Sequence, residues 1–110
     1  METLKNSSDF KKVYSRGKSN ASYYLVIYWL PNNQGFNRFG FSISKKIGNA
    51  VTRNKLRRRL KEIIRIMEKQ KKLKCGFDII FIARKPVTGL DFHGIKKDVV
   101  KLFSKSGIKE

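Results

Sequence analysis

The apolar residues of this chain change period several times, and each change marks an element. Phe10, Val13 and Tyr14 fall at i, i+3 and i+4, one face of a helix predicted from about Ser8 to Arg16. Ser7 or Ser8 can cap its start, Asp9 suits its positive end, and Gly17 suits its stop. The run Tyr23–Leu30 is aromatic and β-branched and predicts a strand, and Pro31-Asn32-Asn33-Gln34-Gly35 predicts a turn after it. From Phe39 to Ser44 bulky and small residues alternate. Phe39, Phe41 and Ile43 are expected in a core, while Gly40, Ser42 and Ser44 leave an open sheet face.

From Thr52 to about Lys72 the period is helical again. Leu56, Leu60, Ile63, Ile64 and Met67 cover an arc of about 100° that should pack on the sheet. Phe77–Arg84 predicts a third main strand, ended by Pro86. Leu90 to about Ser104 predicts a last helix, with Phe92, Ile95, Val99, Leu102 and Phe103 on one face and Gly107 beyond its end. The strongest signals give α-β-β-α-β-α. With one more strand counted before the long helix the order is α-β-β-β-α-β-α-like. Either is an α/β arrangement, an α+β sandwich of helices on a sheet. At 110 residues, one domain over 1–110 is expected.

Charge then changes the picture. Lys and Arg number 26 against 8 Asp and Glu, a formal net charge of +18. Self-repulsion of that size disfavours a compact state unless a polyanion neutralises it. Nucleic acid is the first partner to consider and an anionic membrane surface the second. On the long helix Asn54, Arg57, Arg58, Lys61 and Arg65 cover the arc beside the apolar stripe, with Arg53 at the edge of that stripe. The spacing sets Arg57 and Arg58 near Lys61, and Lys61 near Arg65, so like charges repel. A face built only for stability would alternate signs. A rigid basic face instead suits the fixed phosphates of a folded RNA, with Arg offering a bidentate fork.

Other chemistry is thin. His93 is the sole histidine and reads as a surface residue of the last helix. The carboxylates have no spacing that would gather them around a metal pair, and no phosphate-cradling glycine loop is present. Cys75 is the only cysteine, so no intrachain disulfide forms, and an inert or buried thiol is expected. The run Tyr23–Leu30 is too short for a membrane helix, and METLKNSSDF lacks the apolar core of a signal peptide. A cytoplasmic protein without a membrane partner is expected.

The stretch Lys45-Lys46-Ile47-Gly48-Asn49-Ala50-Val51-Thr52-Arg53-Asn54 strongly resembles the ribonuclease P protein family. That family's basic motif reads Arg-Asn, two residues, a basic pair, two residues and a basic residue. Here these are Arg53-Asn54, Arg57-Arg58 and Lys61. Arg57 often appears as Lys and Lys61 as Arg, so Lys61 keeps the charge but not the fork. Phe10 to Gly17, Gly40 to Lys46 and Ile80 to Pro86 resemble further blocks of the family, in order, over nearly the whole chain.

The resemblance implies a ribosomal S5 domain 2-like fold with a left-handed βαβ crossover through the basic helix. It implies a subunit of an endoribonuclease whose catalytic RNA holds the Mg²⁺ ions and does the chemistry, removing the 5′ leader of precursor tRNA. Lys45, Lys46, Asn49, Arg53, Asn54, Arg57, Arg58, Lys61 and Arg65 would dock on that RNA. Phe10, Tyr14 and Tyr28, with Ser42 and Ser44 as floor, would form a cleft for the single-stranded leader. Bases stack on aromatic rings without sequence preference, which suits many different leaders. Trp29 alternates away from Tyr28 and is expected in the core. The free protein is expected to be monomeric. The rival readings are a generic basic RNA-binding or ribosomal-type protein, a self-sufficient nuclease and a membrane-active cationic peptide.

Overall fold

The computed structural model describes residues 1–110. The elements are β1 (Glu2–Thr3), α1 (Ser7–Arg16), β2 (Lys18–Ala21), β3 (Leu25–Pro31), β4 (Arg38–Ser42), α2 (Ala50–Lys69), β5 (Phe77–Ala83) and α3 (Phe92–Lys105). Short 3-10 helices at Lys45–Ile47 and Lys85–Gly89 lead into α2 and α3. The strands form one five-stranded sheet in the order β1-β4-β5-β3-β2. β4 and β5 run parallel, joined by α2, while β3 is antiparallel to both β5 and β2. After β1, the elements follow the expected α-β-β-β-α-β-α order.

Two strands carried no apolar signal. β2 reads Lys-Ser-Asn-Ala and is almost wholly exposed at the sheet edge. Backbone pairing with β3 makes it a strand, with Ser19 opposite Tyr28 and Ala21 opposite Val26. β1 is two residues long and is held by parallel pairing with β4.

The alternation along the central strands divides the sheet into two unequal faces. On one, Leu25, Ile27, Phe39, Ile79 and Phe81 meet the stripe of α2 and the apolar side of α3 in a cluster of 20 buried residues. The five apolar residues expected on the α2 stripe are its five buried ones. Trp29 packs against this cluster, as expected. On the other face only Leu4, Val13 and Ile80 are buried together, with Phe10, Tyr28, Leu30 and Ile82 partly covered. The face expected to lie open is thus partly roofed by α1.

Residue-level expectations shift in several places. Asn6, not Ser7 or Ser8, stands at the N-cap of α1, and its side chain makes no capping bond. Gly17 stands at the end of α1, where a side chain has no room. A Cβ there would stand 2.5 Å from the Val13 carbonyl oxygen and 2.7 Å from that of Trp29. β4 stops at Ser42, so Ser44 lies beyond the sheet and is exposed. Cys75 is exposed rather than buried.

A polar clasp joins α1 to the lower sheet. Arg38 donates from Nε and Nη2 to the two carboxylate oxygens of buried Asp78, at 2.8 and 2.7 Å. Asn32 donates to the same carboxylate at 2.9 Å. Arg38 Nη1 also reaches to 3.9 Å from Asp9 at the start of α1. A buried carboxylate needs this bidentate partner, since an unpaired charge there would be costly. The hydrogen bond to Asp78 accordingly pushes Arg38 further above its already high pKa.

Candidate nucleic-acid interface

The turn that presents the basic helix is built locally. Ile47 is buried and anchors the 3-10 turn, leaving Lys45 and Lys46 exposed. Gly48 follows at φ 157 and ψ −167, a conformation open to glycine. The Asn49 side-chain oxygen then accepts from the Thr52 N–H at 2.9 Å and caps α2. Asn49 was expected at the RNA. Its oxygen is occupied by the cap, so only its amide group is left for a ligand.

Along α2 the expected basic residues separate into two flanks. Arg57 and Lys61 lean toward the β1–β4 edge of the sheet. With Phe10, Leu4, Gly40 and Phe41 they line a groove of about 200 Å³. Arg58, Lys61 and Arg65 line a second groove of about 440 Å³ between α2 and α3, floored by Phe92. Asn54 accepts a hydrogen bond from Arg57 Nη1 at 3.2 Å and steadies that guanidinium. Arg53 is half-buried at the helix start, and its Nε has no partner. Arg65 is tied to Glu62 at 2.8 Å, a surface pair of small worth that still reduces its free charge.

Lys55 and Arg59 were missed. Both line the α2–α3 groove, and both also line a neighbouring groove with Val51, Leu56 and Val87. They stand right beside Asn54 and Arg58 in the sequence, but at about 100° per residue they fall outside the arc that holds the expected basic residues. The helix thus presents cations on both flanks of its exposed surface.

The aromatic site forms where α1 crosses the thin face. Tyr14 and Tyr28 meet edge to face with ring centres 5.1 Å apart, and Phe10 lies 6.4 Å from Tyr14. Phe10 rests on Gly40, where a Cβ would come within 2.7 Å of its ring. Phe10 is therefore a roof over the sheet, and Tyr14, at 37% exposure, is the ring most open to a ligand. Burial raises the Tyr14 pKa, contact with Ser42 lowers it, and Tyr28 raises it, for a net rise. The Tyr14 hydroxyl thus stays protonated and able to donate. The structure brings Phe10, Tyr14, Tyr28 and Ser42 together, while Ser44 stands apart on the turn toward Lys45.

His93 is exposed on α3, with the Phe92 ring 6.0 Å from its own. No group of three or more His, Cys, Asp or Glu side chains converges. The side chains of this chain therefore form no cage of three or more ligands for a metal ion. No helix is long and apolar enough to cross a membrane.

Fold and surface together define a class: a basic α+β protein with a polycationic helix beside an aromatic groove. Comparison with known proteins narrows the class to one family. The family model "Ribonuclease P" matches residues 1–107. The chain is 50% identical over 103 residues to the ribonuclease P protein component of Thermoanaerobacter sp. (strain X514), covering 94% of this chain and 87% of that one. It is 47% identical over 105 residues to that of Clostridioides difficile (strain 630), covering 96% and 91%. Among solved structures it is similar to the Staphylococcus aureus RNase P protein, with a TM-score of 0.91 and 30% identity over 100% of this chain and 99% of that one. The Thermotoga maritima RNase P protein gives a TM-score of 0.85 at 30% identity, covering 96% and 97%. The chain belongs to the ribonuclease P protein family.

Proposed function

We propose that this chain is the protein subunit of ribonuclease P and acts in the cytoplasm, as a monomer until it meets its RNA. It binds the catalytic RNA through α2 and the turn before it. It receives the 5′ leader of precursor tRNA between Tyr14, Tyr28 and Ser42. The catalytic Mg²⁺ ions sit mainly on the RNA subunit, where they supply the activation of water and the charge for phosphodiester hydrolysis. The protein contributes cations that offset phosphate repulsion and a stacking surface that holds the leader.

One observation carries the reading: Phe10 of the aromatic cleft lines the same groove as Arg57 and Lys61 of the basic motif. Leader cleft and RNA-docking helix are therefore adjoining parts of one surface. A strand held on the cleft would lie against the RNA that cuts it, so positioning and docking are one act.

The test is cleavage of radiolabelled precursor tRNA at low Mg²⁺ by a bacterial ribonuclease P RNA, with and without this protein. Cleavage at the mature 5′ end only when both are present is expected. Cleavage by the protein alone would contradict the division of labour. No stimulation of a competent RNA would return the chain to generic RNA binding.

A further inference from the structure

A second aromatic and basic cluster lies away from both the cleft and the motif of α2. The turn between β2 and β3 carries Tyr23 and Tyr24, whose rings meet at 5.3 Å and 74°. Tyr23 is 70% exposed, the second most exposed large apolar side chain on the molecule after Val51. Tyr24 packs one side on the main core and turns the other into a groove of about 250 Å³. Lys97 and Lys101, one helical turn apart on α3 and both exposed, line that groove. Arg84 stands beside the same turn. Its backbone N–H donates to the Tyr24 carbonyl at 3.0 Å, and its Nη1 donates to the Ser22 carbonyl at 3.2 Å.

The turn is preorganised. Ser22 Oγ accepts from the N–H groups of Tyr24 and Leu25 at 3.1 and 3.0 Å. It also donates to Asp98 at 2.7 Å. Asp98 is the one carboxylate lining the groove. It is 9% exposed and engaged by Ser22, so the accessible charge there is positive. Fold stability accounts for Tyr24 but not for Tyr23, whose ring is mostly in water. A tyrosine on a fixed turn offers contact area at little entropic cost, and paired lysines accept phosphates.

We infer that Tyr23, Tyr24, Lys97 and Lys101 form a second single-strand subsite, which takes the nucleotides of the precursor leader lying upstream of those in the cleft. This rests on the leader cleft proposed above. Continuity selects the leader over other RNA. Tyr24, just before β3, and Tyr28 on β3 lie about 13 Å apart at strand rise. The basic motif borders the cleft on its other side, at the β4 edge, where Arg57 and Lys61 meet Phe10. A strand that enters there and crosses Tyr14 and Tyr28 leaves over β3 and β2 beside the turn that holds Tyr23, and rounds that edge of the sheet to reach Lys97 and Lys101 on the α3 side. Bases stack on the tyrosines and phosphates pair with the lysines, without sequence preference.

The test uses the reconstituted holoenzyme and two precursor tRNAs, one with a short leader that ends within the cleft and one with a long leader. The variant Tyr23→Ser/Lys97→Ser/Lys101→Ser changes only exposed side chains and leaves Tyr24 in the core. It should weaken binding of the long-leader precursor by at least about fivefold, the loss of one stacked base, and leave the short-leader precursor unchanged. Unchanged binding of the long leader would overturn the subsite. Equal loss on both leaders would also overturn it, and would assign the patch to the catalytic RNA or the tRNA body. Tyr28→Ala in parallel keeps the two ideas apart. Loss on both leader lengths upholds the cleft whatever the triple variant does, and no loss on either removes the cleft.

Discussion

The two faces of the sheet differ in depth, and the difference separates folding from binding. One face is sealed by α2 and α3 over 20 buried residues, while the other holds three under a single ten-residue helix. A short helix cannot cover five strands, so aromatic rings on the thin face stay half in water and free to meet a ligand. Phe81 of the thick face is fully buried against Phe103 at 5.4 Å. Phe81→Ala should cost about 3–5 kcal/mol in urea unfolding. Phe10→Ala should cost at most about half of that, because part of its ring is already wet. Equal losses would break the comparison and make α1 part of the folding core.

The same contrast sharpens at Tyr28, which faces the thin side while its neighbour Trp29 faces the thick one. Tyr28→Ala should weaken precursor tRNA binding to the holoenzyme by about 1–3 kcal/mol if one base stacks there, and leave mature tRNA binding unchanged. Loss for both ligands, measured by fluorescence titration, would place Tyr28 in the fold and not in the cleft.

How far the sequence could be read follows the same divide. The thick face was legible because burial writes a period: the stripe of α2 named all of its buried residues, and the side of α3 and the alternation in β4 named most of theirs, with Phe92 and Phe41 only partly buried. The thin face was legible in its residues and less so in its geometry. Phe10, Tyr14, Tyr28 and Ser42 converge, but nothing local says that Phe10 sits on Gly40. Ser44 follows the alternation on paper and leaves the sheet where the chain turns toward Ile47. β2 has no apolar residue to read apart from Ala21, because its stability comes from backbone pairing. The clasp of Arg38, Asp78 and Asp9 joins three elements distant in sequence, and no periodicity encodes such a contact.

The charged flank of the thick face supplies the next test. Arg58 is free, whereas Arg65 is held by Glu62. If both reach RNA, Arg58→Ala should flatten the salt dependence of assembly by about 0.7–0.9 log units per lost phosphate contact, and Arg65→Ala by less. A filter-binding series at several salt concentrations measures both slopes. Equal slopes would mean that Glu62 releases Arg65 to the RNA. An unchanged slope for Arg58→Ala would remove it from the interface.

The smallest effect concerns Glu68 on α2, whose pKa is displaced. Burial raises the Glu68 pKa, and attraction to the amino terminus partly offsets the rise. A carboxyl whose folded pKa lies above its unfolded value binds its proton more tightly in the folded state. Its contribution to stability is then fully present below the ordinary glutamate value of about 4.3 and is lost as pH rises through the folded pKa. At neutral pH the ionised group is therefore a mild liability, screened by water because the side chain is only half-buried. Glu68→Gln should raise stability at pH 7 by a few tenths of a kcal/mol, roughly the scale of a solvent-screened charge, and flatten the stability profile just above the ordinary carboxylate range. Urea unfolding of both proteins across mildly acidic pH checks it. A variant that loses stability at pH 7 would show that Glu68 gains more from the surrounding positive charge than burial takes away, and would bring the field of the basic flank into the fold itself.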